Sequence, residues 1–186
     1  MPPISGQSIL IIGGSSGIGA GVAKLATAEG VIVSIASSNP TRVATAIKTI
    51  ESSVANAKIE GYTVDLMSND VEVLLEKLFT DVTTANSTQL DHIIYTANRV
   101  NMKPLAEVTA DYLRDSNQFS LIVPMLLSKL APRFLNPSAK SSIILTSGRI
   151  AEKPVKGYTM GAYRAAGLYG LTRAWPLILR RLGLIL

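Results

Sequence analysis

Gly13, Gly17 and Gly19, separated by three residues and then by one, enclose Ser15, Ser16 and Ile18 in a turn suited to holding a phosphate. Glycine admits positive φ and lets a ligand reach main-chain N–H groups that a Cβ would shield. A helix starting inside the turn adds unpaired N–H donors and the positive end of its dipole. A pyrophosphate satisfies both features, and a flexible connection between two elements is the plain alternative. Farther along, Ser37, Ser38 and Asn39 are followed by Arg42, with no acidic residue among them. At the end of a second strand, that set suits the 2′-phosphate of NADP(H) better than the 2′-hydroxyl of NAD(H), which an acidic residue would bind. The same Ser-Asn-Pro-Thr also reads as a turn and N-cap, and both can hold. Asp65 closes an alternating run and has two readings: a contact to the adenine ring at the sheet's carboxyl edge, or the cap of the next helix.

These residues need strands that end beside one another. Ile9 to Ile12 is a short apolar run, rich in β-branched residues, that reads as a strand buried on both faces. Val31 to Ala36, Lys58 to Leu66, His92 to Thr96 and Ser142 to Thr146 supply four more. Ala20 to Ala26, Thr41 to Ser53 and a stretch from about Asn69 through Leu78 show helical spacing, and Thr83 to Gln89 reads as a polar loop. Pro104 to Arg114 suits a short helix, Ser116 to Leu135 a long one broken or bent at Pro124 and Pro132, and Tyr158 to Ala174 a final one closed by Pro176. The alternation runs through all 186 residues without repeat or linker. It predicts one α/β domain over 1–186, a doubly wound parallel sheet of the Rossmann type.

Composition agrees with this reading: 47% of residues are hydrophobic and 17% charged, a balance that suits a sheet covered on both faces. No apolar window approaches eighteen residues and the N-terminus lacks a signal-peptide pattern, so the expectation is a cytoplasmic protein without a membrane segment. Cysteine is absent and His92 is the one histidine, which excludes disulfides, thiolate chemistry and a histidine-rich metal site. His92 itself reads as structural. The net charge of +5 does not point to nucleic acid. After Glu152 no acidic residue follows, whereas Lys153, Lys156, Arg164, Arg173, Arg180 and Arg181 do, and no basic face is interleaved with aromatics.

Taken together, the chain resembles the short-chain dehydrogenases/reductases over nearly its whole length. Gly13, Gly17 and Gly19 have the spacing of that family's cofactor turn, and Tyr95-Thr96-Ala97-Asn98 stands in place of its Asn-Asn-Ala-Gly segment, so the resemblance implies a cofactor contact at Asn98. Ile143 to Gly148 resembles the strand that carries the catalytic serine, which assigns that role to Ser147. Gly170-Leu171-Thr172-Arg173 is similar to the family's last long helix. The wording GGSSGIG, SSN and LTSG with EKP is most similar to fungal members from biosynthetic clusters.

Two departures shape the functional expectation. Counting back from Gly170 places the family's Tyr and Lys at Gly161 and Ala165, so both groups are missing. That pair normally supplies the proton, the ammonium lowering the phenol pKa. Tyr158, one helical turn before Gly161, is the candidate surrogate, and a packed or surface tyrosine is the alternative. The family's asparagine also shifts: Asn117 lies near its place, but ungapped counting from Pro132 lands nearer Phe119 or Ser120. The second departure is that the family's later strands do not follow. That predicts a C-terminally truncated sheet with an exposed fifth edge, unless the apolar tail WPLILRRLGLIL covers it. The resemblance implies an NADP(H)-dependent oxidoreductase acting on a small molecule in secondary metabolism, as a homodimer or homotetramer. An iminium substrate would need little acid catalysis, and some fungal relatives lacking the pair also steer a cycloaddition. The competing readings are a cofactor-binding partner without turnover and a non-functional fragment.

Overall fold

The computed structural model describes residues 4–99 and 103–179. Five parallel strands form one sheet: β1 (Ser8–Ile12), β2 (Ile32–Ser37), β3 (Ile59–Thr63), β4 (His92–Tyr95) and β5 (Ser142–Leu145), in the spatial order β3-β2-β1-β4-β5. The order reverses at β1. Ile12 sits between Ala36 of β2 and Tyr95 of β4, so the chain leaves the sheet there in opposite directions and opens a crevice at the strands' carboxyl ends.

The inner strands β1, β2 and β4 are largely buried because both of their faces are covered, whereas the edge strands β3 and β5 are partly exposed. On β1, Leu10 and Ile12 join a core with Leu75, Phe79 and Val82 of α3 (Val71–Ala85) and with Val123 and Leu127 of α5 (Val123–Leu130). Ile9 and Ile11 face the other way, into a core with Ala23 of α1 (Gly17–Ala28) and Val43 and Ile50 of α2 (Pro40–Glu51). Side chains that alternate along a strand thus feed two separate cores. Trp175 of α6 (Thr159–Leu179) closes the first core and donates its indole N–H to Ser128 Oγ at 3.0 Å. His92 is structural, as its sequence context implies: its Nε2 lies 2.8 Å from Gln7 Oε1 and its Nδ1 2.9 Å from Ser142 Oγ.

Three expectations need correction. The segment 83–89 does not begin as a loop, since α3 continues to Ala85; Val82 is fully buried, and Thr83 returns its hydroxyl to Phe79 O, so the polar residues remain helical. Pro176 does not close the last helix, which runs to Leu179 with Trp175 anchored beside it. The break expected at Pro124 is a widened turn: α4 (Ala110–Asn117) passes into a π-helical turn over Gln118–Ile122 and then into α5. Arg180, Arg181 and any covering of the β5 edge by the tail lie outside the described residues.

Candidate active site

The glycine turn is shaped by contact. A Cβ at Gly13 would meet Ala97 N at 2.5 Å and Thr96 Oγ1 at 2.7 Å, and one at Gly19 would meet Gly13 O and Thr96 Oγ1. Both positions must therefore be glycine for the turn to lie flat against the end of β4. Gly17 differs: its φ is +53° and nothing stands within 4 Å of where a Cβ would project. It needs glycine for conformation, and it leaves space above the turn. Ser16 caps α1 in extended conformation without a side-chain hydrogen bond to it, and the first turn carries no acidic residue. The helix end is thus free of internal anions, the arrangement an incoming phosphate needs.

A cleft of about 410 Å³ opens over this turn. Gly13, Ser15, Ser16, Gly17, Ile18 and Gly19 line it, with Ser37, Ser38 and Arg42 at one end and Asn98 at the other. Ten of the twelve residues that the sequence nominated for cofactor binding are thereby brought together. The remaining two do not line it, and each accepts one local backbone N–H. Asn39 is the N-cap of α2 and accepts from Arg42 N at 2.9 Å. Asp65 is exposed and accepts from Met67 N at 2.9 Å, while its neighbours Val64 and Leu66 reach the cleft wall. Helix α3 is instead capped at Asp70, without a side-chain bond. Among the described residues, no Asp or Glu lines the cleft.

A second cleft of about 400 Å³ adjoins the first, sharing Ile18, Thr96, Ala97, Asn98 and Phe119. It holds both candidate catalytic residues. Ser147, just beyond β5, places its hydroxyl 3.5 Å from Ala165 O, and Tyr158, half exposed, precedes α6 on the same wall. Gly161 and Ala165 line this wall too, so the positions counted for Tyr and Lys do face the cleft and bring no ionisable group to it. Tyr163 does not line it.

The opposite wall is built by the π turn. Val123 N–H bonds back five residues to Gln118 O. The next bond of that pattern would come from residue 124, and Pro124 has no N–H. The carbonyl left over, Phe119 O, instead accepts the Tyr95 hydroxyl at 2.7 Å. Burial holds the Tyr95 phenol above its ordinary range, and this tyrosine, although it also lines the cleft, has its hydroxyl proton committed to Phe119 O. The turn presents Phe119 and Ser120 to the cleft. Asn117 does not line it, and its Oδ1 is buried without a partner among the described residues.

Sequence reasoning missed Thr96, Arg99 and Phe119 in the first cleft and Arg164 in the second. Arg164 was legible in principle, because residues 158, 161, 165 and 168 mark one helical face and 164 falls on it.

A sequence profile described as an SDR-like Rossmann domain matches residues 3–186. The chain is 50% identical over 177 residues to the short-chain dehydrogenase/reductase ATR9 of Stachybotrys chlorohalonatus, covering 95% of this chain and 70% of that one. The solved MalC reductase/Diels-Alderase of Malbranchea aurantiaca is 32% identical with a TM-score of 0.85, over 92% of this chain and 67% of the other. A short-chain dehydrogenase of Mycobacterium smegmatis, at 18% identity and a TM-score of 0.88, shares the fold. The chain spans about two thirds of the length of the fungal relatives it matches.

Proposed function

The chain belongs to the short-chain dehydrogenase/reductase family, and on that premise we propose that it is an NADP(H)-dependent oxidoreductase reducing an iminium or carbonyl carbon with a non-standard catalytic set. The observation that carries this reading is the pair of adjoining clefts, one floored by the glycine turn and the other walled by Ser147 and Tyr158. The cofactor supplies hydride at its nicotinamide carbon. The residues of the first cleft fit such a group: the uncapped end of α1 would hold the pyrophosphate, and Ser37, Ser38 and Arg42 would hold the 2′-phosphate. Asn98 lies where the two clefts meet and would orient the nicotinamide ribose. Ser147 and Tyr158 would bind the reacting group, with Tyr158 as proton source.

The fungal relatives support a substrate from secondary metabolism, and exposed Tyr163, Tyr169 and Met125 on α6 and α5 support pairing of two chains through these helices. Calorimetric titration with NADPH and NADH tests the core of the proposal. NADPH binds at least about tenfold more tightly, and Ser37→Asp removes that preference by setting a carboxylate against the 2′-phosphate. Absence of binding by the folded protein overturns the reading. The vacancy of the proton-relay pair at Gly161 and Ala165 favours a second reading, a cofactor-binding protein without turnover. That reading holds if NADPH binds and no iminium or carbonyl compound consumes it.

A further inference from the structure

The first cleft is bordered by two cations, Arg42 and Arg99, and among the described residues by no carboxylate. They stand on opposite sides of the glycine turn. Arg42 belongs to the first turn of α2, after β2, whereas Arg99 follows Asn98 beyond the end of β4, and β1 with its turn lies between those two strands. The proposed function gives Arg42 the 2′-phosphate and leaves Arg99 without a task. Arg99 is exposed, and among the described residues it forms no ion pair. A guanidinium keeps its charge at every working pH. Asn98, the preceding residue, borders both clefts, so Arg99 stands at the end of the first cleft where the second begins.

The two redox forms of a nicotinamide cofactor share their size and their phosphates and differ by one hydride. The oxidised form carries a positive pyridinium ring and the reduced form a neutral one, so the reduced form is one unit more negative. We infer that Arg99 makes the first cleft select the reduced cofactor over the oxidised one. The inference rests on the proposed function for the identity of the ligand. It requires no bond from Arg99, only a net positive charge bordering the cleft without a carboxylate to offset it. Two unit charges about 8 Å apart change an affinity about twofold in water and about thirtyfold at an effective dielectric constant of about 20. Arg99 is open to solvent, which sets the expected effect at about fivefold and makes it sensitive to salt. From a mixture of both forms the cleft then fills with reductant, and the oxidised product is the form it holds less well. Arg42 has a different effect, because the 2′-phosphate it faces carries the same charge in both forms.

The test is calorimetric titration of the cofactor-free protein with NADPH and with NADP+ at low ionic strength, and the quantity read is the ratio of the two dissociation constants. Arg99→Gln weakens NADPH about fivefold more than it weakens NADP+. Arg99→Lys keeps the wild-type ratio, because charge and not hydrogen-bond geometry carries the effect, and Arg99→Glu moves the ratio further in the direction of Arg99→Gln. Salt at about 0.5 M removes most of the difference between the wild type and Arg99→Gln. Arg42→Gln is the control and weakens both forms by a similar factor. Thermal melts accompany each variant, and the exposure of Arg99 predicts no change in them. The inference is overturned if Arg99→Gln weakens both forms equally, which would give Arg99 to the shared phosphates, or if it weakens neither. A ratio lost in Arg99→Lys overturns it as well. Where neither form binds the folded wild type, the proposed function fails and the inference falls with it. Where both bind and the ratio ignores residue 99, the inference alone fails.

Discussion

Replacing Tyr95 by phenylalanine removes one oxygen and leaves the ring in place. Tyr95 is 2% exposed, and its hydroxyl donates to Phe119 O at 2.7 Å. In the π turn, the backbone donor that would otherwise reach that carbonyl belongs to residue 124, a proline. The variant therefore leaves a carbonyl in the interior without its partner, and the cost is that of an unsatisfied group, about 2 kcal/mol within a range of about 1–3. For a domain of this size, about 2 kcal/mol lowers Tm by about 6 °C. Trp175 is the one tryptophan and is 3% exposed, so its fluorescence reports unfolding in urea directly. Pro124→Ala restores an N–H able to reach Phe119 O. In that background, Tyr95→Phe costs about 1 kcal/mol less, a coupling that a double-mutant cycle isolates from any loss of packing at the proline. The account of the turn is refuted if Tyr95→Phe costs less than about 0.5 kcal/mol, a value below any buried unpaired carbonyl, or if its cost is the same in both backgrounds.

Two further perturbations probe the sheet and the glycine turn. Burial lowers the His92 pKa below 6.5, against an opposing pull from Asp91, so the unfolded chain binds the proton more readily. Stability is full above pH 6.5 and falls as the pH drops through and below that value, which urea midpoints at pH 7.5 and 5.5 will show; His92→Phe flattens that slope. Gly19→Ala forces a Cβ against Gly13 O and Thr96 Oγ1, costs about 1–3 kcal/mol and weakens NADPH binding in the same titration. Gly21→Ala, exposed on α1 with nothing within 4 Å, serves as its control and stabilises the protein by up to about 1 kcal/mol.

The sheet was legible because strands covered on two faces leave continuous apolar runs, and Ile9 to Ile12 is the plainest of them. The glycine turn was legible because Gly13 and Gly19 leave no room for a Cβ, and Gly13 and Gly17 have positive φ. Features that depend on which partner a polar group takes were not. Thr83 reads as loop until Phe79 O takes its hydroxyl. Pro124 reads as a break until Tyr95, far away in sequence, supplies the missing donor. Asn39 and Asp65 each accept a local backbone N–H and stand outside the cleft lining, and spacing reveals neither. Arg164 looked like one of several late basic residues, and only burial separates it from Lys153, Lys156 and Arg173.

The two clefts have one wall in common, made of Ile18 from α1, Thr96, Ala97 and Asn98 after β4, and Phe119 from the π turn. A molecule settling into either cleft meets side chains that also border the other. Any coupling between a ligand in one and a ligand in the other is by necessity equal in both directions. Phe119 is the natural intermediary, because the carbonyl of the same residue is clamped by Tyr95 while its side chain borders both spaces.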